Sequence, residues 1–384
     1  MKVVFDRKKI IEAVAPAMYA CAGRSTIAAI EGILIDASAD EDKCVLTTYD
    51  MEKGIRTSAE ATVIEPGACI INANKFYQII RVMEGEEVTL AVDANYSVEI
   101  TSEKSSFSLH ALPAKDFPNL PRLAGERGFS IGQGTLKSMI AKVEHSIAVN
   151  DQRNVLNGCY FRIEENKIML VSCDSYKLSK CTKVCELESK MANGKELDLA
   201  FIVPGKTLAE LVKLIGDDDE KKLDIILTLK HVIFKIGELY FFSRVIDSEY
   251  IDYERVIIKT HKIFVELSRA EFLGALERAA LVTEERIAGN VRAYVKFDFI
   301  GGKLHVSSVS ATGKVYEEID IDHEGADLEI GFNNRYVIDT LRALSAERIR
   351  LSLSSPLMSM NIEPVDKTDG EDEIFMVLPV RMRE

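Results

Sequence analysis

The chain contains few residues that favour irregular structure, and no long apolar run. Only 22 glycines and nine prolines occur among its 384 residues, which excludes a collagen-like, low-complexity or disordered protein. The charge-free stretch 13–23 is far shorter than the roughly 18 apolar residues of a membrane span. Charges at residues 6–9 interrupt any signal peptide. We therefore expect a globular, cytoplasmic protein of about two to three domains, with no membrane partner.

Cysteine and histidine are placed in ways that do not indicate a disulfide framework or a metal site. The seven cysteines are odd in number, show no Cys-x-x-Cys spacing and lie mostly in apolar runs. The six histidines are scattered and form no His-Glu-x-x-His sequence. The segment PGKT at 204–207 lacks the upstream glycine of a phosphate-binding loop, because Ala200 stands at that position. We expect neither a metal nor a cofactor.

One pattern occurs three times along the chain. An apolar, strand-like lead is followed by a helical run, and Ile10, Leu136 and Phe272 take equivalent places in the three copies. A second strand-to-helix unit recurs in the same order as CIINANKFYQIIRVM, FIVPGKTLAELVKLI and EIGFNNRYVIDTLRAL. Alternating apolar and polar segments between them predict antiparallel hairpins. The fold class is therefore α+β, with three repeated domains that each hold two helices and two small antiparallel sheets. The predicted domains are residues 1–127, 128–258 and 259–384.

Positive charge is concentrated in the six repeat helices. The chain as a whole carries a net charge of −13, which argues against holding nucleic acid through bulk basicity. The six helices nevertheless contain 13 Lys and Arg residues against six Asp and Glu residues. Lys206 with Lys213, and Arg335 with Arg342, are spaced seven apart and so share a helix face. One basic helix face would indicate only a solvated helix. Six basic helix faces in a protein of negative net charge favour sequence-independent contact with a polyanion.

Several segments along the chain are distinctive enough to compare with a known family. They are MKVVFDRKKIIEAV, FSLHALPAKDFPNLP, QRNVLNGCYF, LVSCDSYKLS, FIVPGKTLAELVKL, DSEYIDYERVI, EIGFNNRYVIDTLRAL and FMVLPVRM. Together they resemble the bacterial DNA polymerase III beta subunit, the sliding-clamp family, over essentially the whole chain. The resemblance implies three DNA-clamp domains per chain and a head-to-tail dimeric ring. It implies a non-enzymatic processivity factor that encircles duplex DNA and tethers the replicative polymerase, the clamp loader and other clamp-binding proteins.

The resemblance and the basic helices together suggest where DNA and a second copy would bind. Arg24 and Asn150 match family positions that touch DNA, and the helical basic residues would face the duplex. The candidate DNA-binding residues are Arg24, Lys75, Arg81, Asn150, Lys206, Lys213, Arg335 and Arg342. At the dimer junction, the resemblance implies that Phe107 of one copy meets Leu281 and Val282 of the other.

The resemblance also implies a hydrophobic peptide-binding cleft between the second and third domains. Its apolar members are distant in sequence and can meet only at a domain boundary, where grooves commonly form. The implied cleft residues are Arg153, Leu156, Cys173, Ser175, Tyr176, Lys177, Leu178, Ile251, Val256, Tyr336, Ser359, Met376, Val377, Leu378, Pro379 and Val380. The chain departs from the family at Ser175, Tyr176 and Lys177, where Gly-His-Arg is more usual, and at Ile251, which replaces a proline. We expect that deleting residues 376–384 abolishes peptide binding while the ring survives.

A second hypothesis is a cytosolic enzyme with an active site at the same domain junction. Cys173, Asp174 and Tyr176 would be its candidate residues. The sequence places no base beside a nucleophile there, which disfavours the hypothesis. Gel filtration and retention on circular DNA would distinguish the two, because an enzyme need neither dimerise nor encircle DNA.

Overall fold

The computed structural model describes residues 1–125, 127–283, 286–287, 290–291, 294–310 and 313–382. In its first repeat, helices α1 and α2 span Arg7–Ala17 and Ala73–Val82. Strands β1 to β10 span Lys2–Asp6, Gly32–Asp36, Lys43–Tyr49, Lys53–Glu60, Thr62–Glu65, Ala68–Asn72, Glu87–Val92, Ser97–Ser102, Ser105–His110 and Leu112–Pro113. The first strand runs directly into the first helix, whose N-terminus is capped by the Asp6 carboxylate accepting from the Lys9 N–H at 2.9 Å.

The second repeat follows the same order of elements. Helices α3 and α4 span Gln133–Val143 and Gly205–Leu214, and a single helical turn, α5, spans Tyr253–Val256. Strands β11 to β19 span Arg127–Gly132, Gly158–Glu164, Lys167–Cys173, Lys177–Val184, Glu188–Ser189, Asp198–Pro204, Lys222–Leu227, His231–Ile236 and Leu239–Arg244. Helix α3 ends earlier than the sequence pattern indicates, because Glu144–Ser146 tightens into a 3-10 turn.

The third repeat again begins with a strand and a helix. Helices α6 and α7 span Arg269–Thr283 and Asn334–Ala343. Strands β20 to β31 span Ile263–Ser268, Arg286–Ile287, Asn290–Val291, Tyr294–Ile300, Lys303–Val309, Lys314–Asp320, Asp322–Glu324, Leu328–Asn333, Arg348–Leu353, Met360–Pro364, Glu371–Val377 and Pro379–Val380. Six helices therefore occupy the places that the repeat predicts, and the α+β fold class is confirmed.

The sheets are antiparallel, and the two largest extend across neighbouring repeats. A ten-stranded sheet has the order β10-β6-β2-β3-β4-β19-β18-β17-β11-β15, and a nine-stranded sheet has the order β16-β12-β13-β14-β30-β29-β28-β20-β26. Two five-stranded sheets have the orders β5-β1-β7-β8-β9 and β25-β24-β23-β27-β31, and β21 and β22 form a two-stranded sheet. Pairing of β4 with β19 and of β14 with β30 joins neighbouring repeats edge to edge. The sequence pattern predicts the strand pairing within each repeat but not these pairings between repeats.

The joint between β4 and β19 depends on a glycine. Gly54 lies opposite Phe242 in the register. A Cβ at Gly54 would lie 2.2 Å from the Phe242 ring, so only glycine leaves room for that ring. Phe242 in turn packs in a buried cluster with Tyr49, Ile70 and other apolar residues. A close backbone approach therefore fixes this pairing.

Two compact units account for the chain. The first unit comprises Met1–Gly134, Glu188–Glu196 and Ala209–Val245. The second unit comprises Thr135–Leu187, Leu197–Leu208 and Ile246–Glu384. The first unit holds the ten-stranded sheet, and the second holds the nine-stranded sheet. This division follows the shared sheets and does not test the domain boundaries at 127/128 and 258/259, which stay a prediction. Among the residues described, no helix is long and apolar enough to cross a membrane.

Candidate functional site

A groove of about 780 Å³ lies in the second compact unit, beside the turn between β13 and β14. Polar and aromatic side chains make up most of its wall. The lining residues are His145, Ile147, Ala148, Val149, Asn150, Asp151, Asp174, Tyr176, Lys177, Asn333, Arg335, Tyr336 and Asp339. Three predicted cleft residues and two predicted DNA-binding residues therefore line one groove.

The turn at residues 174–177 is built by an aspartate. The Asp174 carboxylate accepts hydrogen bonds from the N–H of Tyr176 at 2.9 Å and of Lys177 at 2.7 Å. Such aspartate turns let a short side chain take the place of a backbone acceptor. The Asp174 N–H donates to the Lys177 carbonyl at 3.1 Å and closes the hairpin. The turn therefore presents Tyr176 to solvent and directs Lys177 inward.

Lys177 is a buried cation with two partners. Its Nζ lies 2.9 Å from the Asp174 carboxylate and 4.7 Å from the centre of the Tyr336 ring. The Tyr336 ring also lies 5.8 Å from the ring of Tyr176. Burial, followed by the charge of Asp174, raises the pKa of Tyr336. An ion pair and a cation–π contact thus hold the β13–β14 turn against helix α7.

An apolar cluster contains several of the predicted cleft residues. Its buried members are Ala148, Leu156, Val171, Cys173, Leu178, Ile257 and Met376. Ile251, Tyr250 and Tyr253 pack against it from the chain segment that leads to the third repeat. Burial raises the pKa of the Cys173 thiol, so the thiol is protonated near neutral pH and is a poor nucleophile.

The remaining cleft candidates divide into exposed and buried residues. Val256 and Leu378 are exposed, whereas Ser359 is buried. Pro379 and Val380 form β31, which pairs with β27. The structure therefore brings only part of the predicted set to an accessible surface.

The structure argues against the expectation that the ring survives deletion of residues 376–384. Met376 and Val377 are buried in β30, which pairs with β14 on one side and with β29 on the other. Their deletion would open the middle of the nine-stranded sheet. Leu378, just beyond, is 37% exposed and can be changed without touching the core.

His145 and Asp151 are among the groove residues that sequence reasoning did not find. His145 lies in the 3-10 turn after α3, with its Nε2 3.4 Å from Ser179 Oγ and 3.4 Å from Thr340 Oγ1. Burial, with a smaller contribution from the charge of Lys177, lowers the pKa of His145 to about 4, so its ring is neutral near pH 7. Asp151 binds Arg153 through both carboxylate oxygens, at 3.1 and 3.0 Å. Neither residue belongs to a motif that marks it in the sequence.

The candidate DNA-binding residues are exposed. Arg24, Lys75, Arg81, Asn150, Lys206, Lys213, Arg335 and Arg342 all lie at the surface. Some have partners: Lys213 pairs with Glu210 at 2.9 Å, and Arg342 pairs with Glu277 at 2.8 Å. Exposed pairs of this kind are weak, so they leave these cations able to contact phosphate.

Other basic residues of the repeat helices have structural roles instead. Arg7 and Arg269, which begin α1 and α6, donate to backbone carbonyls just beyond the second helix of their repeats, at 2.9 and 2.8 Å. Gln133 at the start of α3 accepts from a backbone N–H at the equivalent place, at 2.8 Å. Lys142 binds Glu373 in β30. The charge count of the helices therefore overstates their DNA-facing charge.

The predicted dimer residues lie at surfaces suited to association. Phe107 is on β9, which ends its sheet, and its ring is partly exposed. Leu281, near the end of α6, is 86% exposed, and Val282 beside it is half-buried. Within the part of the chain that the structure describes, β9 and β25 each have one edge without a partner strand.

Three domain models of one protein family match successive parts of the chain. The N-terminal, central and C-terminal domain models of the DNA polymerase III beta subunit match residues 1–121, 130–252 and 254–378. The chain belongs to the DNA polymerase III beta subunit family. A member of this family of sliding clamps is a non-catalytic accessory subunit of a DNA polymerase, so the chain is a processivity factor, and the enzyme hypothesis is not supported.

Individual relatives are similar to the chain over nearly their whole length. The chain is 29% identical to the beta sliding clamp of Staphylococcus aureus (strain N315) over 392 residues, which cover 99% of each protein. It is similar to the crystal structure of a putative DNA polymerase III beta subunit from Eubacterium rectale, with 30% identity and a TM-score of 0.91 over 100% of both chains. The sliding clamp of Bacillus subtilis gives 27% identity and a TM-score of 0.90, also over 100% of both.

Proposed function

We propose that the chain forms a head-to-tail dimeric ring that encircles duplex DNA and tethers the replicative polymerase, the clamp loader and other clamp-binding proteins through a peptide groove. The supporting observation is the position of the groove. An apolar cluster of residues from distant parts of the chain lies beside an accessible cavity of about 780 Å³. Leu378 and Tyr176 supply exposed apolar surface at the same place, where the Leu378 N–H donates to the Tyr176 carbonyl at 2.8 Å.

Peptide binding is tested by changing Leu378 to Asp. The side chain is 37% exposed, so the substitution leaves the core intact. A carboxylate facing apolar peptide anchors loses hydration without gaining a partner, and we expect at least about tenfold weaker binding. The probe is a fluorescent peptide of the Gln-Leu-x-Leu-Phe type, followed by anisotropy.

A matched control uses Leu229, a 92% exposed leucine in the turn between β17 and β18. Leu229→Asp should bind the peptide as the parent does. Sedimentation of both variants checks that assembly is unchanged. Equal affinity in Leu378→Asp and the parent would show that the groove does not hold the peptide.

DNA binding through exposed cations is tested by changing Arg24, in the segment after α1, and the helical residues Lys206 and Arg335 together to Ala. Direct binding should weaken, and the dependence of log K on log salt should flatten by roughly 0.9 for each phosphate that is no longer neutralised. The measurement is binding to duplex DNA across a range of salt concentrations. Retention after loading onto circular but not linear DNA tests encirclement itself.

A control for the change in net charge comes from three exposed lysines outside the repeat helices, Lys195, Lys230 and Lys259. Changing these three to Ala removes the same charge and should leave the salt dependence near that of the parent. If both triple variants lose DNA binding equally, only total charge matters and the helical faces have no special role. Strong, sequence-selective binding to linear DNA would contradict the ring proposal.

A further inference from the structure

Ser175 adopts a backbone conformation that residues with side chains seldom adopt. It is the first central residue of the hairpin turn between β13 and β14, and its φ is +78°. A positive φ at this place in a two-residue hairpin suits glycine, which has no Cβ to clash. Other residues persist in such conformations when surrounding contacts hold them there. The contacts of Ser175 are therefore informative.

The first repeat contains a similar turn between β3 and β4. There the Asp50 carboxylate accepts from the N–H groups two and three residues later, at 3.0 and 2.8 Å, as Asp174 does in the second repeat. Met51 takes the place of Ser175 and has a φ of +80°. The methionine side chain offers no hydroxyl to a partner. The backbone strain is thus shared by both turns, and the serine hydroxyl is peculiar to the second.

That hydroxyl is tied to a neighbouring loop. Arg153 donates from Nη2 to Ser175 Oγ and also binds the Asp151 carboxylate through Nε and Nη2. Asp151 is itself fixed, because its N–H donates to Asn157 Oδ1 at 2.8 Å and its carbonyl accepts from Asn157 Nδ2 at 2.9 Å. A chain of hydrogen bonds therefore links the loop before β12 to the strained turn.

The position of Tyr176 depends on this turn, because it directly follows Ser175. Its ring is 56% exposed and lies 5.8 Å from the Tyr336 ring, with the planes 31° apart. We infer that Ser175 is a positioning residue: by accepting the Arg153 hydrogen bond it fixes the turn to the loop before β12 and so keeps Tyr176 against Tyr336 at the rim of the groove. Its role in recognition rests on the proposed peptide binding, since a fixed aromatic wall lowers the ordering cost of a bound peptide.

The position of Tyr176 can be followed without any peptide. The sequence contains no tryptophan, so Tyr176→Trp introduces a single indole whose fluorescence reports on this site alone. In that background, Ser175→Ala keeps the Cβ and removes the hydrogen bond, and Arg153→Met removes it from the other side. We expect acrylamide quenching of the indole to rise about twofold in each variant, and no further in the double variant, because both remove the same interaction.

Met51 provides the matched control. Met51→Ala in the same Trp background alters a side chain at the same φ in a turn with no arginine tie, and quenching should not change. Unchanged quenching in Ser175→Ala, or an additive rise in the double variant, would overturn the inference.

A second measurement separates this inference from the proposed function. With Tyr176 restored, Ser175→Ala should bind the fluorescent Gln-Leu-x-Leu-Phe peptide about three- to tenfold more weakly, mainly through faster dissociation. Unchanged affinity would refute a role for Ser175 in recognition. If the parent protein fails to bind the peptide, the proposed groove function is wrong, while the quenching experiment still decides whether Ser175 positions Tyr176.

Discussion

Replacing Leu281 and Val282 together with alanine is expected to shift the protein from dimer to monomer in sedimentation velocity. Leu281 is 86% exposed in the single chain, and a large apolar side chain so exposed indicates a contact surface when others lie beside it. Truncating both side chains removes apolar area worth about 2 to 4 kcal/mol at each junction. A head-to-tail dimer makes that junction twice, so the effect on assembly is doubled.

The control for this experiment is Leu229→Ala, which truncates an even more exposed leucine away from the predicted junction. It should sediment as the parent does. Phe107→Ala tests the opposite side of the same junction and should also favour the monomer. A double variant at Leu281 and Val282 that remains fully dimeric would place the interface elsewhere.

Changing Glu373 to Ala is expected to lower the free energy of unfolding by about 3 kcal/mol, because it leaves Lys142 without its partner in a largely buried position. The side chains of Lys142 and Glu373 are only 15% and 7% exposed. Burial by itself would lower the pKa of Lys142, but the hydrogen bond and charge of Glu373 raise it above its ordinary value. The measurement is chemical denaturation followed by circular dichroism.

The pair can also be removed as a whole. Lys142→Met with Glu373→Met should be less destabilising than Glu373→Ala alone, because no uncompensated charge remains. Asp320→Ala breaks an exposed pair with Lys303 and should leave the denaturation midpoint unchanged. A loss in Glu373→Ala no larger than in Asp320→Ala would mean that the buried pair does not stabilise the fold.

Local sequence patterns determined the helices and the repeat. Each of the six helices carries apolar residues at helical spacing directly after a strand-like lead, and a signal of this kind needs no knowledge of distant residues. The exposure of Lys75, Lys206 and Arg335 follows from the same periodicity, since they lie opposite the apolar face. The resemblance added the individual groove residues, of which Tyr176, Lys177 and Tyr336 line one cavity.

Some roles depended on contacts that sequence spacing does not encode. Lys142 lies on a repeat helix as the other helical cations do, yet it is largely buried and pairs with Glu373, which is far away in the chain. Met376 and Val377 belong to a terminal segment that the sequence alone predicts to be dispensable for the ring, yet they are buried in a strand that lies between two others. In both cases a partner more than 100 residues away decides the environment of the side chain.

The sequence by itself determined the three repeats, the α+β class, the helix positions and the concentration of positive charge on helices, because each rests on interactions between residues close along the chain. Only the tertiary structure decided which sheet edges join, which cations face solvent, and how the turn at Ser175 is held against Arg153 and Tyr336. Edge pairing satisfies backbone hydrogen bonds that every strand offers alike, so its choice depends on packing such as that of Phe242 over Gly54. Whether a charge or a turn is buried likewise depends on which distant residues the fold places next to it.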